Sequence, residues 1–205
     1  MNIDTIMQTA PVIPVLVIDD VAHARPIAEA LVRGGLTVLE VTLRTAAALD
    51  VIAEMARVEG AIIGAGTVLN TTDLEASIAA GARFIVSPGL TESLGKAAIA
   101  SGIPFLPGIA NAADIMRGLD MGLSRFKFFP AMASGGLPAL RALAAPFGQV
   151  RFCPTGGITD TTAPDWLADR AVLCVGGSWI VSKGVPDVPA IEASARAAST
   201  LRQNP

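Results

Sequence analysis

The sequence predicts an α/β fold, a single (β/α)8 TIM barrel, and three observations carry that expectation. Eight short β-branched or aromatic runs alternate with Ala/Leu-rich stretches of helical spacing. The runs begin about every 20 to 27 residues, the combined length of a strand, a loop and a helix. No change of composition interrupts the series, so the units most simply close on themselves. An open doubly wound sheet is the competing architecture. That fold advertises a G-x-G-x-x-G after its first strand, and here Asp19 and Asp20 follow Ile18 instead. A chain of 205 residues is short for a barrel, so its helices must be brief.

Taken in order, residues 1–10 form an N-terminal segment with no assigned element. The strands are PVIPVLVI from Pro11, TVLEVTL from Thr37, AIIGAGTV from Ala61 and ARFIVSP from Ala82. IPFLPGI from Ile103, RFKFFPA from Arg125, RFCPTGGI from Arg151 and AVLCVGGSW from Ala171 complete the set. The first helix opens on Asp19 and Asp20 as caps, carries Ala22, Ile27, Ala30 and Leu31 inward, and stops at Gly34 and Gly35. In NTTDLEASIAAGA either Thr71 or Thr72 can cap, Glu75 falls in the first turn, and Gly81 ends the helix. TESLGKAAIASG and NAADIMRGLDMG repeat the plan, and a C-terminal stretch, 186–205, carries a last helix from Pro189 to Leu201.

Composition narrows the function classes. With 52% apolar and 16% charged residues the chain is expected to fold as one domain over residues 1–205, not to remain disordered. Lys and Arg number 15 against 18 Asp and Glu, a net charge of −3, and no basic cluster interleaves with aromatics, so nucleic acid is not an expected partner. Pro, Gly or a charge cuts every apolar run before the roughly 18 residues of a membrane span, and the N-terminus lacks a signal-peptide layout. A soluble, cytoplasmic protein is expected, with Cys153 and Cys174 as reduced, buried thiols. His23 is the sole histidine and is read as structural; with no CxxC and no Cys/His cluster, neither metal nor cofactor is expected.

The chemistry concentrates at strand ends, where barrels keep their sites. Lys127 sits inside Phe126-Lys127-Phe128-Phe129-Pro130, where an ammonium is poorly solvated. Desolvation favours the neutral amine, which attacks carbonyls; the alternative is a lysine simply paired with a carboxylate in the interior. In Val38-Leu39-Glu40-Val41-Thr42-Leu43-Arg44, period-two alternation puts Glu40, Thr42 and Arg44 on one face. If that face points inward, Glu40 can move protons and Arg44 can clamp a carboxylate. An internal Glu40–Arg44 or Glu40–Lys127 ion pair is the blander reading. Thr67 ends the third strand with a hydroxyl donor. Gly156 and Gly157 after the seventh strand, with Gly176 and Gly177 after the eighth, offer bare N–H groups that bind phosphate beside a following helix N-terminus; tight turns explain the same pairs.

Together EVTLRT, GAGTVLN, SPGLTE, FKFFPA, FCPTGGI and VLCVGGSW resemble the class I 2-keto-3-deoxy-6-phosphogluconate aldolase family, which also handles 4-hydroxy-2-oxoglutarate. The likeness spans about Pro11 to Trp179. It implies a homotrimer of (β/α)8 barrels acting in the Entner–Doudoroff pathway. It also implies that Lys127 is the Schiff-base lysine, Glu40 the general acid/base, Arg44 the pyruvyl carboxylate ligand and Thr67 a pyruvate contact. The phosphate is implied near Gly156, Gly157, Gly176, Gly177 and Ser178, with Thr155 close to the sugar hydroxyls or the phosphate. The expected reaction releases pyruvate and glyceraldehyde 3-phosphate. Three other readings share the barrel: the phosphogalactonate epimer as substrate, a phosphosugar isomerase, epimerase or decarboxylase, and a non-catalytic phospho-ligand sensor. Family comparison gives the galactonate enzyme an apolar residue where this chain has Thr155, which favours the gluconate.

Overall fold

The computed structural model describes residues 1–201. All eight sequence runs contain strand: β1 (Val12–Leu16), β2 (Val38–Thr42), β3 (Ile62–Gly66), β4 (Phe84–Val86), β5 (Phe105–Leu106), β6 (Gly108–Ile109), β7 (Arg125–Phe128), β8 (Arg151–Pro154) and β9 (Val175–Gly177). Nine segments replace eight because Pro107, which has no N–H to give a ladder, divides the fifth run into β5 and β6. Every paired ladder is parallel. One sheet runs β5-β4-β3-β2-β1-β9 and a second runs β6-β7-β8. Two single bridges, Phe152 with Val172 and Thr155 with Gly176, connect the second sheet to the β9 end of the first.

Helices alternate with these strands: α1 (Ile3–Thr9), α2 (Ala24–Arg33), α3 (Ala48–Met55), α4 (Thr71–Ala79), α5 (Glu92–Ser101), α6 (Ala112–Asp120), α7 (Gly136–Ala144), α8 (Ala163–Leu167) and α9 (Val188–Ser199). As expected for so short a chain, the longest has 12 residues. Asp20 accepts a hydrogen bond from Ala22 N, but it caps a 3-10 turn over Val21–His23 that leads into α2. Asn70, not Thr71 or Thr72, caps α4, its Oδ1 accepting from Asp73 N at 2.9 Å, and Asp73 takes the first-turn place expected of Glu75. The helix therefore starts one or two residues earlier than a threonine cap would place it, and the Asn70 amide oxygen satisfies one of its orphan N–H groups. The last helix starts at Val188 and ends at Ser199; the expected C-terminal stretch extends beyond the described residues from 202 onward.

The unassigned N-terminal segment contains α1. Asn2 accepts from Thr5 N at 2.9 Å to start it, Asp4 pairs with Arg125 at the start of β7, and Ile6 and Met7 are wholly buried. Those two side chains join Ile13, Val38, Phe84, Val86, Leu106, Cys153 and Cys174 in a cluster on the inner face of the strands. A second cluster, containing Leu39, Val41, Phe126, Phe128 and Phe152 with residues of the helices, fills the space outside. Period-two alternation along β2 therefore sorts side chains as the sequence suggests, Leu39 and Val41 outward and Val38 inward, and in β7 Phe126 and Phe128 likewise go outward.

Candidate active site

The two central charges of the sequence reading meet. Lys127 on β7 and Glu40 on β2 share the inner face, and Lys127 Nζ donates to Glu40 Oε1 at 2.9 Å. Lys127 is 6% and Glu40 3% exposed, so each is the other's answer to desolvation. The Phe129 ring lies with its centroid 5.5 Å from Nζ, a favourable distance for a cation above an aromatic face. The alternatives left open by sequence thus combine: the amine is buried, and it is also paired with a carboxylate.

Space for the carboxylate comes from β3. A Cβ on Gly66 would overlap Glu40 Oε1, and one on Gly64 would overlap the Phe84 ring. The next residue, Thr67, has φ 59°, a left-handed conformation that a β-branched residue adopts only under strain. Such strain collects where the chain must aim a side chain, at the carboxyl end of a strand.

Arg44 is placed differently from the expectation. β2 stops at Thr42, so the alternation that carries Glu40 inward does not extend to Arg44, which is exposed in the following turn. Its N–H bonds back to Thr42 O at 2.8 Å, closing a three-residue turn. Thr42 itself is buried and donates to Leu16 O at 2.8 Å.

At the other side, Thr155 bridges Gly176, and a Cβ on Gly176 would overlap Thr155 Oγ1. The two strand ends touch there because one of them has no side chain. Gly156 and Gly157 both have positive φ, 106° and 78°, so two successive residues take a backbone shape that favours glycine. Ala131 N donates to Thr155 O at 2.8 Å and Met132 N to Gly156 O at 3.1 Å, tying this loop to the segment after β7. Gly177 leaves room for the Trp179 ring, and Ser178 is exposed between them. The expected helix N-terminus beside these glycines is absent at this place: α8 has five residues and begins at Ala163, while residues 178–187 run as bends before α9.

Beneath the pair lie the two thiols, both buried and free. Cys153 is the register partner of Lys127. A hydrogen bond with Cys153, then burial, then the negative potential of Cys153 and Glu40 push the Cys174 thiol well above its ordinary value, so it stays protonated. His23 ends the 3-10 turn before α2. Among the described residues no three His, Cys, Asp or Glu side chains gather where one cation could meet them. No helix there is long and apolar enough to cross a membrane. The sequence reading singled out neither Gly66 nor α1. The spacing of Ile3, Ile6 and Met7 after a capping Asn2 is the signal that could have revealed α1.

Comparison with known proteins accords with this geometry. A family model described as KDPG and KHG aldolase matches residues 3–194. The 2-dehydro-3-deoxy-phosphogluconate aldolase of Zymomonas mobilis is 60% identical over 202 residues, 98% of this chain and 97% of that protein. The KHG/KDPG aldolase of Escherichia coli K12 is 55% identical over 179 residues, 87% of this chain and 84% of that one. A crystal structure of KDPG aldolase from Legionella pneumophila, with pyruvate captured at low pH as a covalent carbinolamine intermediate, superposes with a TM-score of 0.93 at 43% identity. That superposition covers 98% of this chain and 99% of the other.

Proposed function

The chain belongs to the KDPG and KHG aldolase family, and from that premise we propose that it is a class I aldolase. Its substrate is 2-dehydro-3-deoxy-6-phosphogluconate, cleaved to pyruvate and glyceraldehyde 3-phosphate, with 4-hydroxy-2-oxoglutarate, giving pyruvate and glyoxylate, as a second substrate. The observation that carries the reading is the buried Lys127–Glu40 pair, 2.9 Å apart at the inner face of β7 and β2.

Passing one proton from Nζ to Oε1 along that hydrogen bond turns a charged pair into a neutral amine and a neutral acid. Nζ then adds to the C2 carbonyl, Glu40 gives its proton to the departing hydroxyl and becomes a carboxylate again, and loss of that water leaves a protonated imine that withdraws electrons from the C3–C4 bond. Glu40, acting through water, takes the C4 hydroxyl proton as that bond breaks and the aldehyde leaves. The same group returns a proton to C3 of the enamine, and hydrolysis frees pyruvate and Lys127. Arg44 holds the pyruvyl carboxylate and Thr67 donates to the same end of the substrate. Gly156, Gly157, Gly176, Gly177 and Ser178 form the phosphate end, where backbone N–H groups, those of the positive-φ pair Gly156 and Gly157 among them, do the work first expected of a helix terminus. The hydroxyl of Thr155 supports the gluconate epimer.

We further read the two sheets as one closed (β/α)8 domain, because β5 and β6 are separated by Pro107 alone and single bridges join β8 to the β9 side. A homotrimer would cover the exposed apolar side chains of Leu69, Met116 and Met132. The free thiols fit a reducing cytoplasm.

Borohydride reduction in the presence of pyruvate tests the covalent route. The expected result is a stable adduct mapped to Lys127, absent from an inactive Lys127→Ala. Turnover that survives in Lys127→Ala would overturn it.

A further inference from the structure

Arg44 poses a problem of placement. It lies beyond the end of β2 and is exposed, and among the described residues its side chain makes no hydrogen bond or ion pair that would hold it. A long side chain of this kind can meet a carboxylate bidentately only if its backbone is fixed.

That backbone is fixed from both flanks. The β1–β2 ladder ends with Leu16 opposite Val41, so main-chain pairing on that side stops before the turn. Two hydroxyls continue the attachment. Thr42 Oγ1 donates to Leu16 O at 2.8 Å, and Thr45 Oγ1 donates to Ile18 O at 2.7 Å, both reaching the chain that leaves β1. On the opposite flank Leu43 N donates to Gly66 O at 2.8 Å, one residue before the strained Thr67. Arg44 therefore stands at the tip of a short turn whose two feet, at residues 42 and 45, are hydroxyl-bonded to the end of β1 and to the segment just after it. Of the two residues between those feet, Leu43 is bonded to β3 on the other side.

We propose that Thr42 and Thr45 are positioning residues that fix the turn carrying Arg44 against β1 so that its guanidinium meets the substrate carboxylate. This rests on the reading of Arg44 as the carboxylate ligand. Valine in place of either threonine keeps the branched shape and removes the donor, leaving the Leu16 or Ile18 carbonyl without that bond. The strand pairing of β2 and the Lys127–Glu40 pair do not depend on those hydroxyls.

The test follows reductive trapping by borohydride against pyruvate concentration, and against methyl pyruvate, which keeps the carbonyl but lacks the charge. In Thr42→Val/Thr45→Val the half-saturating pyruvate concentration is expected to rise about tenfold, the scale on which small misplacement acts. The trapping rate at saturation and the response to methyl pyruvate stay near those of the parent, and Thr42→Ser/Thr45→Ser restores pyruvate saturation. Arg44→Ala separates the two layers of the argument. If it raises the pyruvate requirement while the double valine variant does not, the positioning role fails and the reading of Arg44 stands. If Arg44→Ala leaves pyruvate saturation unchanged, that reading fails and takes this one with it. An equal rise for methyl pyruvate, or no rescue by serine, makes the hydroxyls supports of the fold alone and overturns the proposal. Thr45 is only half-buried, so Thr45→Val alone gives a folded variant for the same comparison if the double variant does not fold.

Discussion

Lys127 has one carboxylate partner, and the proposed chemistry asks that partner to be base and acid in turn. Replacing Glu40 by Gln keeps a hydrogen-bond acceptor beside Nζ but removes the proton carrier. The borohydride-trapped pyruvate adduct is expected to form still, while turnover falls by about 10²- to 10⁴-fold, the range typical of lost general acid–base catalysis; steady-state assay beside adduct mass checks both halves. Cys174 makes a prediction of another kind. Its thiol is raised in the folded protein by Cys153, by burial and by Glu40. The folded state therefore keeps a proton that the unfolded chain releases near its ordinary value of about 8.5. Stability is fully present below that pH and falls as pH climbs above it. Denaturant midpoints measured from neutral to alkaline pH should show the decline, and Cys174→Ala should flatten it. At this scale, legibility was uneven for a physical reason. Alternation put Glu40 on a polar face and the flanking rings marked Lys127 as poorly solvated, but their meeting depends on how distant strands curve toward one another. Arg44 was put on the same face by a rule that holds only while the strand continues, and β2 ends two residues earlier.

Among the elements, the strands were the most readable, since β-branched and aromatic runs declare themselves. The break at Pro107 was visible as a residue, but its effect on the ladder depended on which side of the strand needed the missing N–H. The cap of α4 was misplaced by one or two positions, because several small polar residues compete there and only local geometry selects Asn70. β3 shows what patterns of hydrophobicity do not carry: its inner face is defined by the absence of side chains. Gly66→Ala is expected to leave the chain folded, because Gly66 does not have the positive φ that would exclude alanine, while the new Cβ displaces the Glu40 carboxylate. Turnover should drop by about 100-fold, as displacements near one ångström do, and circular dichroism should remain that of the parent.

For the molecule as a whole, the parallel α/β plan followed from the rhythm of the sequence, whereas the seal at its base did not. α1 lays Ile6 and Met7 under the inner cluster and ties down through Asp4 and Arg125. Ile6→Ala should cost about 2–5 kcal/mol, the usual penalty for emptying a large buried aliphatic site. Equilibrium urea unfolding measures it, and a loss below 1 kcal/mol would show that the space collapses or that the helix is dispensable. The pairing of β1 has a temporal side as well. β1 bonds to β2 on one edge and to β9 on the other, Val12 facing Val175. A ribosome delivers β2 almost at once, but β9 only after every other described strand has been made. Throughout synthesis, then, one row of amide and carbonyl groups on β1 stands open to strangers, and this protein reaches safety only with its last strand.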